Sequence, residues 1–338
     1  MASILTRNRT AYVTKETTVG TIVNPANSNA FRFVDLQLNP SQPVAVRPDV
    51  NPSLSRPLGT PMRKSASWQM SCSLAGSGTA GTAPDIGPFL ECGIGAVTVN
   101  AGTSVVYAPA DVANCLDLWA YAKNVSGAQP AGLTQRVALA SAVSQIKFNI
   151  GQDFATADFS GESWWVLDTD QFSTADATAK GGLASFPTEP ASPTLNGSAV
   201  QGFVGTITID GQAYTGIIRS AVITYGMIRE FPKDVFNNFY PSAPIPGFRD
   251  VTVDLNLYDD DGSTLSALKA KMFNNTAFNA SFVVGTTAGN IWTFALNNLQ
   301  IPAKPTYDNS QTKRALSITA QAHQSTSTAK DEFSLTLT

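Results

Sequence analysis

A single histidine, His323, supplies all the imidazole in the 338-residue chain. Zinc sites that need two or more histidines are therefore excluded within one chain, as is a metalloprotease helix carrying two. A nucleophile–imidazole–acid triad would have to use His323. That residue lies in the polar run Ala-Gln-Ala-His-Gln-Ser and reads as a surface strand residue. Cys72, Cys92 and Cys115 are odd in number and match no redox or metal spacing. Cys72 falls on the apolar side of an expected strand, where a buried free thiol is ordinary. Gly76-Ser-Gly-Thr-Ala-Gly81 satisfies the dinucleotide fingerprint GxGxxG. Such a site needs parallel β-α-β units, whereas Pro84 and Pro88 bracket a helix of about two turns and strands follow, so the run reads as a flexible connector. Asp259-Asp-Asp-Gly262 invites a calcium loop, but aligning its glycine puts Leu257 and Leu268 at the first and last ligand positions. An acidic turn ahead of a helix is favoured by the helix dipole in any case. Trp164-Trp165 lacks basic neighbours and reads as a core or interface aromatic pair rather than a base-stacking platform. No catalytic, cofactor or metal residue is assigned, and with no nucleophile elbow the chain is not read as an enzyme.

The elements that would hold these residues are mostly strands. Ala66, Trp68, Met70, Cys72 and Leu74 alternate with Ser67, Gln69, Ser71 and Ser73; Val251, Val253, Leu255 and Leu257 alternate with Thr252, Asp254 and Asn256. Each run predicts a strand with one buried face. After the first comes a glycine-rich turn and a helix marked by Ile86, Phe89 and Leu90, with Gly93 as its stop. After the second come an acidic turn, Ser263 as N-cap, and a helical face of Leu265, Leu268, Met272 and Phe273. Hairpin-like pairs follow, Ser104–Tyr107 with Cys115–Tyr121 and Ala280–Val284 with Ile291–Leu296. Long loops, Asn39–Lys64 and Gly226–Phe248, precede the two alternating strands; loops of that length are usually functional. Further strands are expected at Val137–Ile150, Gly205–Ile209, Ile217–Tyr225, Leu316–Ala320 and Phe333–Leu337.

The order strand, long loop, strand, helix, strand series occurs twice, which reads as an internal duplication. The expected organisation is an N-terminal arm (1–30), a first domain (31–172), a linker rich in Pro and Gly (173–201) and a second domain (202–338). Charged residues make up 14% of the chain and the net charge is −3, without the basic excess of a phosphate-gripping protein. No apolar run reaches 18 residues and the start has no secretory h-region, so no membrane partner and a reducing cytoplasm of synthesis are expected.

Ala75-Gly-Ser-Gly-Thr-Ala-Gly-Thr-Ala-Pro-Asp-Ile-Gly-Pro-Phe-Leu-Glu-Cys-Gly93 resembles the tail tube (major tail) proteins of long-tailed phages. Ala101–Pro109, Arg249–Leu257 and Thr287–Leu296 are similar to other strands of that family, so the resemblance spans about 60–330. Pro88 and the long linker depart from its pattern. The resemblance implies a mainly β fold, here two tandem antiparallel β-sandwich or barrel domains each with one short flanking helix. It also implies rings stacked into a hollow tube that carries the genome. The expected partners are other copies of the chain, in homotrimeric pseudo-sixfold rings, together with tape measure, tail terminator and distal tail proteins. Phage DNA would pass without specific binding. The protein would reside in the virion tail after assembly in the host cytoplasm, and it would need no cofactor. The alternative is a carbohydrate- or receptor-binding β-sandwich of a tail or adhesin, which accounts for the aromatics but not for the duplicated unit.

Two sets of site residues follow from this reading. The two long loops would join stacked rings, through Arg47, Arg56 and Arg63 in the first and Phe231, Phe236, Phe239 and Tyr240 in the second. Between Lys147 and Lys180 there is no basic residue, so Asp153, Asp158, Glu162, Asp168 and Asp170 are the candidate acids of an electronegative lumen.

Overall fold

A computed structural model describes residues 4–46, 55, 58–112, 114–124, 135–168, 187, 198–232, 242–302, 304–309 and 312–338. From the amino end come β1 (Ile4–Lys15), β2 (Ala30–Phe31) and β3 (Asp35–Ser41), then a ribbon of β4 (Val44–Ala45) and β5 (Thr60–Pro61). Strand β6 (Ser65–Ser73) leads to helix α1 (Gly87–Ile94), then β7 (Gly95–Asn100), β8 (Ser104–Pro109) and β9 (Leu116–Asn124). Next are β10 (Gln135–Ile150), β11 (Thr156–Ser163) and β12 (Trp165–Asp168). The second half holds β13 (Gly205–Ile209), β14 (Gln212–Ala213), β15 (Ile218–Glu230), β16 (Ile245–Tyr258) and helix α2 (Ser263–Phe273). It closes with β17 (Phe278–Val284), β18 (Trp292–Leu299), β19 (Thr306–Asp308), β20 (Ala315–Ala322) and β21 (Phe333–Leu337).

The alternation read from β6 and β16 is realised: Trp68, Met70 and Cys72, and Val251, Val253 and Leu257, are buried. These strands lie in one antiparallel layer ordered β3-β6-β11-β10-β15-β16-β20-β19. A second layer, β14-β13-β17-β18-β21-β8-β7, covers its apolar face. The main core between them holds Trp68, Phe148, Phe159, Trp292 and Phe294, with α1 inserting Phe89 and Leu90 and α2 inserting Leu265 and Leu268. Both layers draw strands from both halves of the chain.

Strand β10 changes sheet partway. Its first part pairs with β9 and β12, its last with β11 and β15, and the turn of direction falls at Ala140, held at φ 47°. A non-glycine in that region is strained and persists only where its surroundings fix it. The branch β1, β2, β9 and β12 builds a second small core of Tyr12, Trp119, Tyr121, Val137 and Leu167.

Several sequence expectations are corrected. Strands β8 and β9 do not pair; β8 joins β7 and β21, while β9 joins β1 and β10. Of the two expected pairs, Ala280–Val284 with Ile291–Leu296 is the one that forms a hairpin, β17 with β18. Helix α1 passes through Gly93 and is capped by Gly95 at φ 130°. Gly262, in extended conformation, caps α2, and Ser263 is its first helical residue. Both long loops are shorter than read, because β3 and β15 continue to Ser41 and Glu230 and β16 starts at Ile245. The glycine-rich run is no loose connector: Gly76 N donates to Asn290 Oδ1 at 2.5 Å and Gly78 N to Gly289 O at 3.1 Å. A Cβ on Gly76 would stand 2.0 Å from Gly289 O, so glycine is required where the two backbones touch.

Candidate assembly interface

The eight-strand layer repeats a four-strand unit. β3-β6-β11-β10 and β15-β16-β20-β19 match strand for strand in connection: a long loop joins the first two, a helix follows the second, and the last two follow each other along the chain. All neighbours are antiparallel, so the units also match in strand direction. Inside the chain one unit joins the next through the ladder Gln145–Ile150 with Ala221–Gly226. The layer's outer edges are β3 and β19. Unpaired edges invite another strand.

One face of this layer is covered and the other is open. The open face presents Gln37 and Asn39 of β3, Ser67 and Gln69 of β6, Thr156 and Ser160 of β11, and Thr252 and Asn256 of β16, because successive side chains alternate faces. It carries the acids Asp35, Asp158, Glu162, Asp250 and Asp254, with the base Lys147 opposite Asp158. Neutral groups hold most of these carboxylates. Ser71 Oγ and Asn149 Nδ2 donate to Asp158 at 2.5 and 2.7 Å, Thr319 Oγ1 to Asp254 at 2.5 Å, and Gln321 Nε2 to Asp250 at 2.9 Å. Hydroxyl and amide donors orient a carboxylate without cancelling its charge, so the face keeps a net negative field. Asp35 has Arg9 at 3.6 Å.

The five acids singled out by sequence divide. Asp158 and Glu162 are on the open face. Asp153 is exposed in the turn between β10 and β11, away from the strand face. Asp168, on β12, pairs with Arg136 at 3.1 Å and belongs to the branch sheet, and Asp170 lies outside the described residues. The sequence reading did not select Asp250 and Asp254, although their alternation with Val251 and Val253 placed them on the same face.

The loop residues divide too. Arg47, Arg56, Phe236, Phe239 and Tyr240 lie outside the described residues. Arg63 is half-buried beside β6, and Phe231, 7% exposed, is buried at the end of β15. What the loop end of the layer does expose is apolar: Val44, Val46, Leu58 and Met62 on or beside the β4–β5 ribbon, and Ile228, Ile245 and Phe248 at the base of the second loop. Among the described residues that ribbon pairs only with itself.

A buried cation ties the two halves together at this end. Arg229, 5% exposed, donates to Cys92 O at 2.7 Å and Val112 O at 2.8 Å, meeting the carboxyl end of α1 where a cation is favoured. Glu16 accepts Gly20 N and Ala140 N at 2.7 and 2.8 Å, and Asp117 accepts Val23 N at 2.7 Å. Burial, then the hydrogen bond to Glu16, lifts the Asp117 carboxyl far above the ordinary range. Asp85, ahead of α1, is pushed up to about 7, chiefly by burial.

The structure also places the remaining chemical candidates. His323 is exposed just past β20, and the three cysteines are buried with thiols raised by desolvation. Asp259 of the acidic turn is bound by Lys269 and Arg314, with the Lys269 hydrogen bond first in holding its carboxyl below the usual range. Trp165 is core, and Trp164 Nε1 donates to Ser242 O at 3.2 Å. No cluster of three metal-ligating side chains occurs among the described residues, and no helix there is long and apolar enough to cross a membrane.

A family model described as phage tail tube protein matches residues 6–322. No curated protein matches the chain.

Proposed function

The chain belongs to the phage tail tube protein family, and from that membership, which makes it a structural component of the virion tail, we propose how it builds the tube wall. Three chains close a ring of six four-strand units, with β3 of one chain beside β19 and β20 of the next. The observation that carries this is the repeat in direction and connection: β3 would follow β19 as β15 follows β10 within the chain. A heterologous contact whose rotation closes yields a ring, and ring closure removes the exposed edges. At ~4.8 Å per strand, three eight-strand segments make a wall roughly 115 Å around, about 37 Å across before strand tilt widens it. That leaves an open bore once side chains are placed.

The open polar face lines the bore. Carboxylates held by neutral donors repel phosphates over a range of ~8 Å at physiological salt, and a wall poor in Lys and Arg gives the genome no cumulative grip. The rings stack through their loop ends into the conduit for genome delivery, capped and filled by terminator, distal tail and tape measure proteins. The two sandwich halves, 31–172 and 202–338, act as the pseudo-equivalent units, and assembly takes place in the host cytoplasm. Native mass spectrometry and negative-stain microscopy of purified protein test this reading: three-chain rings and tubes support it, and stable monomers that never form either overturn it.

A further inference from the structure

The two four-strand units match residue by residue as well as in strand order. Strands β11 and β20 are both 8 residues long. Their first residues, Thr156 and Ala315, stand opposite the last residues of β6 and β16, Ser73 and Tyr258. The turn between the paired Asn149 and Thr156 is as long as the turn between the paired Asp308 and Ala315. Followed from strand to strand, this register makes Tyr307 of β19 the equivalent of Phe148 of β10, because they face Leu316 and Ala157. It makes Leu38 of β3 the equivalent of Ile223 of β15, because they face Trp68 and Val253. Burial parity agrees: Ala157 and Phe159 of β11, like Leu316 and Ile318 of β20, point into the core.

One of these contacts is completed inside the chain and its equivalent is not. Phe148 stands opposite Ile223 where the two units join, and both are fully buried. Tyr307 occupies the same core-facing side of an outer edge strand, yet it is 44% exposed. Its ring is held by Arg314, whose guanidinium lies 4.8 Å from the ring centre. Leu38 sits on the opposite outer edge. The two edges therefore carry the separate halves of a Phe148–Ile223 type of contact. Transferring the internal ladder to them puts Thr306 opposite Asn39, Tyr307 opposite Leu38 and Asp308 opposite Gln37. One step further, Pro305 falls opposite Pro40, and the ladder ends there because neither has an N–H to donate.

We propose that neighbouring chains of a ring join in this single register, with Tyr307 of one chain closing the core beside Leu38 of the next. This pairing presupposes the ring reading above and fixes the register which that reading leaves open. A chain carrying both Asn39→Cys and Thr306→Cys, assembled and then treated with a mild thiol oxidant, tests it. Residues directly opposite in an antiparallel ladder have Cα atoms ~4.5–5.5 Å apart, within reach of a disulfide. Within one chain the two positions lie on opposite edges of the layer, on the order of 30 Å apart at ~4.8 Å per strand, so the bond can form only between chains. The native thiols are buried and stay out of the reaction. Covalent dimers and trimers are expected on a denaturing, non-reducing gel. Gln37→Cys with Thr306→Cys, slipped by two residues, should link at least tenfold less. Tyr307→Asp should leave the melting temperature of the unassembled chain unchanged and reduce ring yield at least tenfold. Rings of the Asn39–Thr306 variant that do not cross-link, equal linking by the slipped pair, or Tyr307→Asp rings at wild-type yield would each overturn this register while leaving the tube reading standing. Failure of the unmutated chain to form rings or tubes would instead remove the tube reading itself.

Discussion

Replacing Asp117 by Asn should remove a pH dependence of stability that the wild-type chain carries. Asp117 is fully buried, and its carboxyl faces that of Glu16, which already accepts two backbone N–H groups. Two adjacent buried carboxyls cannot both ionise, so the native state keeps a proton on Asp117. Its native pKa lies far above its unfolded value. The stabilising protonated form is therefore fully present below pH ~4 and is lost as pH rises toward the native pKa, since the unfolded chain binds fewer protons over that interval. The slope from one such proton is at most about 1.4 kcal/mol per pH unit. Between pH 5 and 8 this amounts to roughly 4 kcal/mol at most. Asn keeps an oxygen for Val23 N and offers its amide to Glu16 without a titrating proton. Urea unfolding of unassembled protein, followed by tryptophan fluorescence at pH 5, 6, 7 and 8, should show midpoints that fall with pH for wild type and fall less for Asp117→Asn. Asp85, raised to about 7 by burial, titrates with the same sign in both proteins and cancels in the comparison. Parallel pH profiles would refute the shared-proton assignment.

Glu16→Gln should behave oppositely to Asp117→Asn, destabilising by about 1–3 kcal/mol at every pH, because its amide would face a backbone N–H; the same urea series reads this. Gly161→Ala, whose Cβ would meet Ala142 O at 1.8 Å, should cost roughly 1–3 kcal/mol and lower the melting temperature measured by calorimetry. Arg229→Leu, which strips donors from the Cys92 and Val112 carbonyls, should cost about 1–3 kcal/mol by the same measurement. Changing Asp158, Glu162, Asp250 and Asp254 to Lys should leave tubes intact but make them retain duplex DNA in a low-salt filter-binding assay, with retention falling steeply as salt rises.

What could be read in the sequence was whatever period-two alternation carries. β6, β16, β13 and β21 lie where their apolar residues placed them, and the two-copy order of the eight-strand layer was visible because loop, helix and strand recur in the same sequence. Pairing between distant strands leaves no such local mark. Nothing in Phe333–Leu337 announces that β21 sits between β18 and β8, or that β10 and β15 fuse the two halves. The acids show a different failure. They were chosen from a stretch without bases, a property of the chain, when the relevant property was strand parity. Parity keeps Asp158 and Glu162, drops Asp168 to another sheet, and adds Asp250 and Asp254. The glycine motif was read as a flexible connector, whereas its glycines serve a backbone contact with Gly289, some two hundred residues away, which sequence spacing does not encode.

The central claim, a wall closed from three duplicated chains with the polar face inward, is tested most directly by a helical reconstruction of assembled tubes by electron cryomicroscopy. The expected density shows three chains per ring, β3 of one chain antiparallel to β19 of the next, and Asp158, Glu162, Asp250 and Asp254 on the bore. Six chains per ring, or that face turned outward with Lys and Arg lining the bore, would contradict it.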